Sequence, residues 1–322
     1  MKMPYPMVLL IALPLLAAPV YSQTYPMKPI RLIVPLAPGG PSDILARTIG
    51  AAITPTLGQQ VVVENRTGAA GIVGADLVAK SPADGYTILL IGLSTYTLAA
   101  ALHPKLPFDA VKDLVPVTVL AASPFVLLVH PSLPVKTVKE LIALAKARPG
   151  ELNYASGGAG THPQMVMEVM KLKTGINIVH IPYKGSGPAL SETLAGQMQI
   201  GLFNILAANP PVQGGRLRAL AVTGPQRSAL LPAVPTLAEA GVHGIVEVGS
   251  HMIMVPAATP KNIVARLNQD MVAALQTSAM KSRIAGEGGA AVGSSPEQAA
   301  AEVRADLEKW VDVVHRTNIK LE

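Results

Sequence analysis

The chain of 322 residues is long enough for two ordinary domains with a large buried core. Half of the residues are apolar and 14% are charged, which excludes intrinsic disorder, and the lack of cysteine excludes disulfides, thiolate nucleophiles, zinc-thiolate sites and iron–sulfur clusters. The net charge is +6, yet the 26 basic residues are scattered among 20 acidic ones and aromatics make up 3%, so no nucleic-acid surface of clustered cations and stacking platforms is expected.

Residues 1–22 read as a signal peptide. Lys2 supplies a weak positive start, the apolar stretch Val8 to Val20 is too short to span a bilayer, and Pro14 and Pro19 argue against a buried core helix. Val20-Tyr21-Ser22 offers compact residues at the positions a signal peptidase reads, which predicts cleavage after Ser22 and export to the periplasm.

Short apolar runs then alternate with helical patterns. Ile30 to Pro35 reads as a strand, Asp43 to Ile53 as a helix, Val61 to Glu64 as a strand, Gly71 to Lys80 as a helix and Tyr86 to Ile91 as a strand. The pattern restarts with strands at Asn153 to Ser156, Ile178 to Pro182, Gln199 to Asn204 and Leu217 to Thr223, and helices at His162 to Thr174 and Pro188 to Ala195. Beyond Pro256 the chain reads as helix over Lys261 to Gln276, Ser278 to Ala285 and Pro296 to Arg316, with Ser295 as the cap of the last. This alternation predicts two α/β units, each built on a mainly parallel sheet covered on both faces.

The loops after the first strand of each unit carry the functional signal. Pro38-Gly39-Gly40 and Ser156-Gly157-Gly158-Ala159-Gly160-Thr161 each stand between a strand and a helix. In an open α/β sheet, ligands bind beyond the carboxyl ends of the strands, where helix N-termini present unpaired N–H groups and glycine admits close approach. Two such loops predict jaws around a shared cleft suited to an anionic oxygen. Arg66 to Gly71 and Tyr183 to Pro188 form further strand-to-helix loops of the same kind.

The expected signatures of common enzymes are missing. There is no G-x-G-x-x-G after a strand, no P-loop, no G-x-S-x-G elbow and no H-E-x-x-H. The seven histidines are dispersed, so no metal site is expected, no cofactor is implied, and His162 reads as a capping or packing residue.

Ordered blocks extend across the mature chain. They include Ile33-Val34-Pro35 leading to Pro38-Gly39-Gly40 and Asp43, Val63-Glu64-Asn65-Arg66, Ser81-Pro82-Ala83-Asp84-Gly85-Tyr86, Asn153-Tyr154-Ala155-Ser156, Val179-His180-Ile181-Pro182-Tyr183-Lys184-Gly185, Val234-Pro235-Thr236-Leu237 and Trp310. In these the chain resembles the Bug-type receptors of tripartite tricarboxylate transporters. The resemblance implies an α/β fold of the type II periplasmic binding protein kind, two lobes joined by two crossover strands with the ligand cleft between them. It places lobe 1 at 23–122 plus 248–322 and lobe 2 at 123–247.

The resemblance further implies a non-enzymatic receptor that closes on a small carboxylate (a dicarboxylate, tricarboxylate, amino acid or aromatic acid) and delivers it to membrane permease subunits, acting as a monomer. The positions carried over as ligand-binding are Pro38, Gly39, Gly40, Ser156, Gly157, Gly158, Gly160, Thr161 and Asn204. Asn204 stands where relatives often place an acidic residue, and Ser250-His251-Met252 replaces a tryptophan followed by another aromatic. A sensor or orphan receptor on the same fold is the alternative reading. A hydrolase using Ser156 with His162 is a weaker one, since neither an elbow nor a base-orienting partner accompanies them.

Overall fold

The computed structural model describes residues 25–317 apart from residue 104. The signal peptide expected over 1–22 lies outside the described residues. In chain order the elements are β1 (Ile30–Val34), α1 (Pro41–Leu57), β2 (Val61–Asn65), α2 (Ile72–Ala79), β3 (Thr87–Gly92), α3 (Leu93–Leu102) and β4 (Leu114–Val129). Next come α4 (Val138–Ala147), β5 (Asn153–Ser156), α5 (His162–Thr174), β6 (Val179–Pro182), α6 (Ser186–Leu194), β7 (Ile200–Asn204), α7 (Ile205–Gln213) and β8 (Arg218–Val222). The chain ends with β9 (Val248–Pro256), α8 (Lys261–Gln276), α9 (Ser278–Gly286), β10 (Ala290–Ala291) and α10 (Pro296–Thr317).

In lobe 1, β1 pairs in parallel with β2 and β3, while β9 lies antiparallel to β3 and β4 antiparallel to β9. Burial on both faces explains the mostly apolar composition of β1 and β3. Ile30, Leu32, Ile88 and Leu90 face α1, α8 and α9, and the alternate residues Ile33, Leu89 and Ile91 face α2, α3 and the first half of α10. In lobe 2, β5 pairs in parallel with β6 and β7, and β4 lies antiparallel to β7 and β8.

Strand β4 serves both lobes. Its register passes from Pro124 opposite Val248 of β9 to Phe125 opposite Asn204 of β7 in consecutive residues. Its prolines occupy the places where a strand tolerates them, Pro116 at a register shift and Pro124 at the crossing.

This register fixes where the loops point. Gly92, the carboxyl end of β3, pairs with His251 near the start of β9, and His251 pairs with Ala121 of β4. Asn204, the carboxyl end of β7, pairs with Phe125 of β4. The parallel neighbours β1 and β5 share those directions, so the strand ends of the two lobes face one another across the crossing. Ala121 and Phe125 are about 13 Å apart along an extended strand.

Helix α10 ties the lobes together on one side of the crossing. It begins with a capping box: Ser295 Oγ accepts from Gln298 N–H (3.2 Å), and Gln298 Oε1 accepts from Ser295 N–H (2.9 Å). Its early residues Ala299 and Val303 sit in a lobe 1 core, while Trp310 and Val313 sit in the lobe 2 core with Phe125, Leu127 and Met165. Lys309 Nζ bridges Glu247 (2.9 Å) and Asp306 (2.7 Å) and lies 4.2 Å from the Trp310 ring centroid. Asp306 also accepts from Thr97 Oγ1 (2.5 Å) and from the Trp310 indole N–H (3.0 Å). Trp310, fully buried, is thus a docking anchor.

Candidate functional site

Both facing loops are tied to the helix they feed by one device. Gly39 N–H donates to Asp43 Oδ2 (2.9 Å), and Gly160 N–H donates to Gln164 Oε1 (2.7 Å). In each case the acceptor is the third residue of the following helix and is buried, which leaves the loop braced from beneath. Asp43 further accepts from Arg47 (3.1 and 3.0 Å) and Asn65 Nδ2 (3.0 Å), and Asn65 also holds the Leu36 carbonyl (3.0 Å). The Arg47 guanidinium, followed by the Gly39 amide, holds the Asp43 carboxyl down at about 2.

The bracing decides which amides remain for a ligand. In the first loop Pro35, Pro38 and Pro41 carry no N–H and that of Gly39 is taken, whereas the amides of Leu36, Ala37 and Gly40 have no acceptor among the described residues. In the second loop Gly158 donates to Ser156 Oγ (3.1 Å), Gly160 to Gln164, and Thr161 weakly to the Gly158 carbonyl (3.4 Å). The amides of Gly157 and Ala159 are the ones left without an internal acceptor. Gly39 and Gly158 have φ of +79° and +135°, conformations that only glycine adopts without strain.

Ser156 is a shaping residue. It is 1% exposed, its Oγ lies 2.6 Å from His180 Nε2 and 3.0 Å from the Gly158 carbonyl, and Thr161 Oγ1 donates to that carbonyl at 2.8 Å. The pairing of Ser156 with His162 does not form. His162 packs edge-on against Phe125 and Trp310, with ring centroids 5.0 and 5.4 Å away, and its Nε2 stands 3.2 Å from Glu247. His180 stacks on Tyr154, and burial lowers its pKa.

The two further loops pack behind these. Gly185 N–H donates to the Gly157 carbonyl (3.0 Å), which seats the β6–α6 turn on the β5–α5 turn. Gly74 of α2 lies so close to the first loop that an added Cβ would stand 2.7 Å from Pro35 Cβ and 3.1 Å from the Arg66 carbonyl. Gly74→Ala is expected to cost about 1–3 kcal/mol by overpacking, read from a urea melt. An unchanged melt would show that α2 does not support the loop.

The floor of the gap is a cavity of about 40 Å³ lined by residues including Ala121, Ser123, Asn204, Gly249, His251 and Glu287. Asn204 is the one carried-over position that reaches it. Its Oδ1 caps α7 by accepting from Leu206 N–H (3.0 Å), and its Nδ2 donates to Ser123 Oγ (2.7 Å), locking the end of β7 to β4. His251 Nε2 lies 2.9 Å from Ser42 Oγ in the first turn of α1, and burial holds this imidazole at about 4, so it is neutral at ordinary pH.

Comparison with known proteins settles the family. The family model described as the tripartite tricarboxylate transporter family receptor matches residues 45–319. The chain belongs to that family. BugT of Bordetella pertussis is 39% identical over 307 residues, covering 95% of this chain and 94% of BugT. Rpa4515 of R. palustris, solved with adipate, is 34% identical with a TM-score of 0.84, covering 92% of this chain and all of that one. MatC of Rhodopseudomonas palustris, solved with bound malate, is 32% identical with a TM-score of 0.79, covering 90% of this chain and all of that one. The fold is that of a periplasmic solute-binding protein.

Several contributors to the gap were not among the residues expected from sequence. Ala159 was passed over between glycines, and Ser42 and Ser123 carry no motif of their own. His251 did leave a signal, the replacement of an aromatic block by Ser250-His251-Met252.

Proposed function

We propose that this family member captures a small carboxylate between its lobes and delivers it to the permease subunits of a tripartite tricarboxylate transporter. The observation that carries the reading is the opposition of two braced loops, each with unengaged amides, at strand ends that face across the β4 and β9 crossing. Backbone N–H groups stabilise a carboxylate without a formal counter-charge. Gly40 on one side and Gly157 with Ala159 on the other are the donors, and Pro38, Gly39, Ser156, Gly158, Gly160 and Thr161 hold the loops in shape. Closure is selected by the anion because only the closed form makes both sets of contacts.

Lobe 1 comprises 23–122 and 248–322 and lobe 2 comprises 123–247, with the end of α10 docked on lobe 2. The mature protein acts as a monomer in the periplasm after removal of residues 1–22. Adipate and malate, the ligands of the two solved relatives, make carboxylates the first compounds to test. Isothermal titration of protein refolded free of co-purified ligand is expected to give saturable heat with at least one of malate, adipate, citrate, glutamate or benzoate. Silence with all of them would reject carboxylate capture.

A further inference from the structure

Resting on the receptor reading, we infer that the floor of the gap is a specificity pocket in which His251 and Glu287 together select the uncharged polar end of a monocarboxylate, an amide or a hydroxyl, over a second carboxylate. The proton positions follow from Ser42. That serine is 4% exposed and its hydroxyl has no acceptor other than His251 Nε2 among the described residues. A buried hydroxyl donates when an acceptor is within reach, so Ser42 donates to Nε2 and the single proton of the neutral imidazole resides on Nδ1. Nδ1 has no partner among the described residues, and His251 lines the cavity, so the pocket holds one fixed N–H donor there.

A second lining residue supplies an acceptor. Glu287, at the end of α9, lines the same cavity. Its basic neighbour Arg283 approaches only to 3.7 Å from a side chain that is 58% exposed, and no Lys or Arg lines the cavity. A group that both accepts and donates satisfies both residues: an amide accepts from His251 Nδ1–H through its carbonyl and donates to Glu287 through its NH₂, and a hydroxyl does the same. A carboxylate offers acceptors only and meets Glu287 as a like charge, which the exposed Arg283 at 3.7 Å offsets only in part. The cavity of about 40 Å³ admits one such small group, while the ligand's own carboxylate remains at the loop amides. Amide and carboxylate have nearly the same shape, so charge and proton pattern decide between them.

The experiment is titration calorimetry with succinate, glutarate and adipate, each against its own monoamide. For the length that fits, the monoamide is expected to bind about tenfold tighter, a difference of about 1.4 kcal/mol. His251→Phe should remove this preference by weakening the monoamide, and Glu287→Gln, at a half-buried position tolerant of an isosteric change, should remove it by strengthening the diacid. Diacids that bind as tightly as their monoamides at every length would overturn the inference and leave the receptor reading standing. Failure of every diacid and monoamide to bind would also overturn it, and the broader panel of carboxylates then decides the receptor reading separately. A preference for monoamides that survives both substitutions would show that these two residues do not set it.

Discussion

Truncating Trp310 to alanine is expected to lower the unfolding free energy by about 3–5 kcal/mol. The indole is fully buried in the lobe 2 core, yet it is carried by a helix whose first half lies in lobe 1. Its removal leaves a void beside Val313 and His162, takes one donor from Asp306, and strips Lys309 of the ring it covers. Trp310→Phe should retain most of the packing and cost about 1–2 kcal/mol through the lost N–H. A urea titration of each variant reads the difference, and hydrogen exchange should show the loosening first in α3 and α5, the helices packed on this end of α10. A Trp310→Ala protein with the stability of the parent would mean that α10 does not join the lobes.

The second large effect concerns ligand affinity. Asp43→Ala removes at once the acceptor of the Gly39 amide, of both Arg47 contacts and of Asn65, so the first loop loses its brace while the core beneath it stays intact. Hydrogen bonds to a charged group contribute about 1.5–3 kcal/mol each, and loss of the brace is expected to weaken carboxylate binding by roughly 10- to 100-fold. Asp43→Asn keeps the shape without the charge and should fall between. The same carboxyl makes a prediction about acid. Asp43, paired first with Arg47, and Glu64, paired first with Arg31, are both held at about 2 in the folded chain, below the ordinary carboxylate range. Groups with depressed values stabilise the fold fully above that range, and the stabilisation is lost as pH falls through it toward 2. Circular dichroism against pH should therefore show a shallower acid transition for Asp43→Asn than for the parent. Parallel acid curves would show that the Arg47 pair does not contribute.

Much of this architecture was legible in the residues, and the exceptions have physical causes. Strands buried on both faces, such as Thr87–Gly92 with its Ile88 to Ile91 run, announce themselves as continuous apolar runs, and α10 declares its start through Ser295-Pro296. The elements missed include the two strands that build the crossing. β4 is interrupted by Pro116, Ser123 and Pro124, and β9 carries Ser250 and His251 within its run. α3 follows β3 without a turn, and α7 contains Pro210 and Pro211, so neither shows an ordinary boundary. The glycine loops were legible for the same reason that loops usually are, their unusual backbone needs. Their internal bracing was not, because an acceptor such as Asp43 or Gln164 reads as an unremarkable polar helix residue until the turn before it is folded.

The sharing of β4 has a consequence for anyone wishing to dissect the molecule. A single run of backbone, Leu114 to Val129, provides an interior member to each of two sheets, flanked by β9 and β10 in one and by β7 and β8 in the other. Neither half can be expressed as a self-sufficient fragment, because a cut that frees one takes a central rib from its sibling. Chimeras between relatives should therefore exchange the outer helices and turns and inherit this segment whole from one parent.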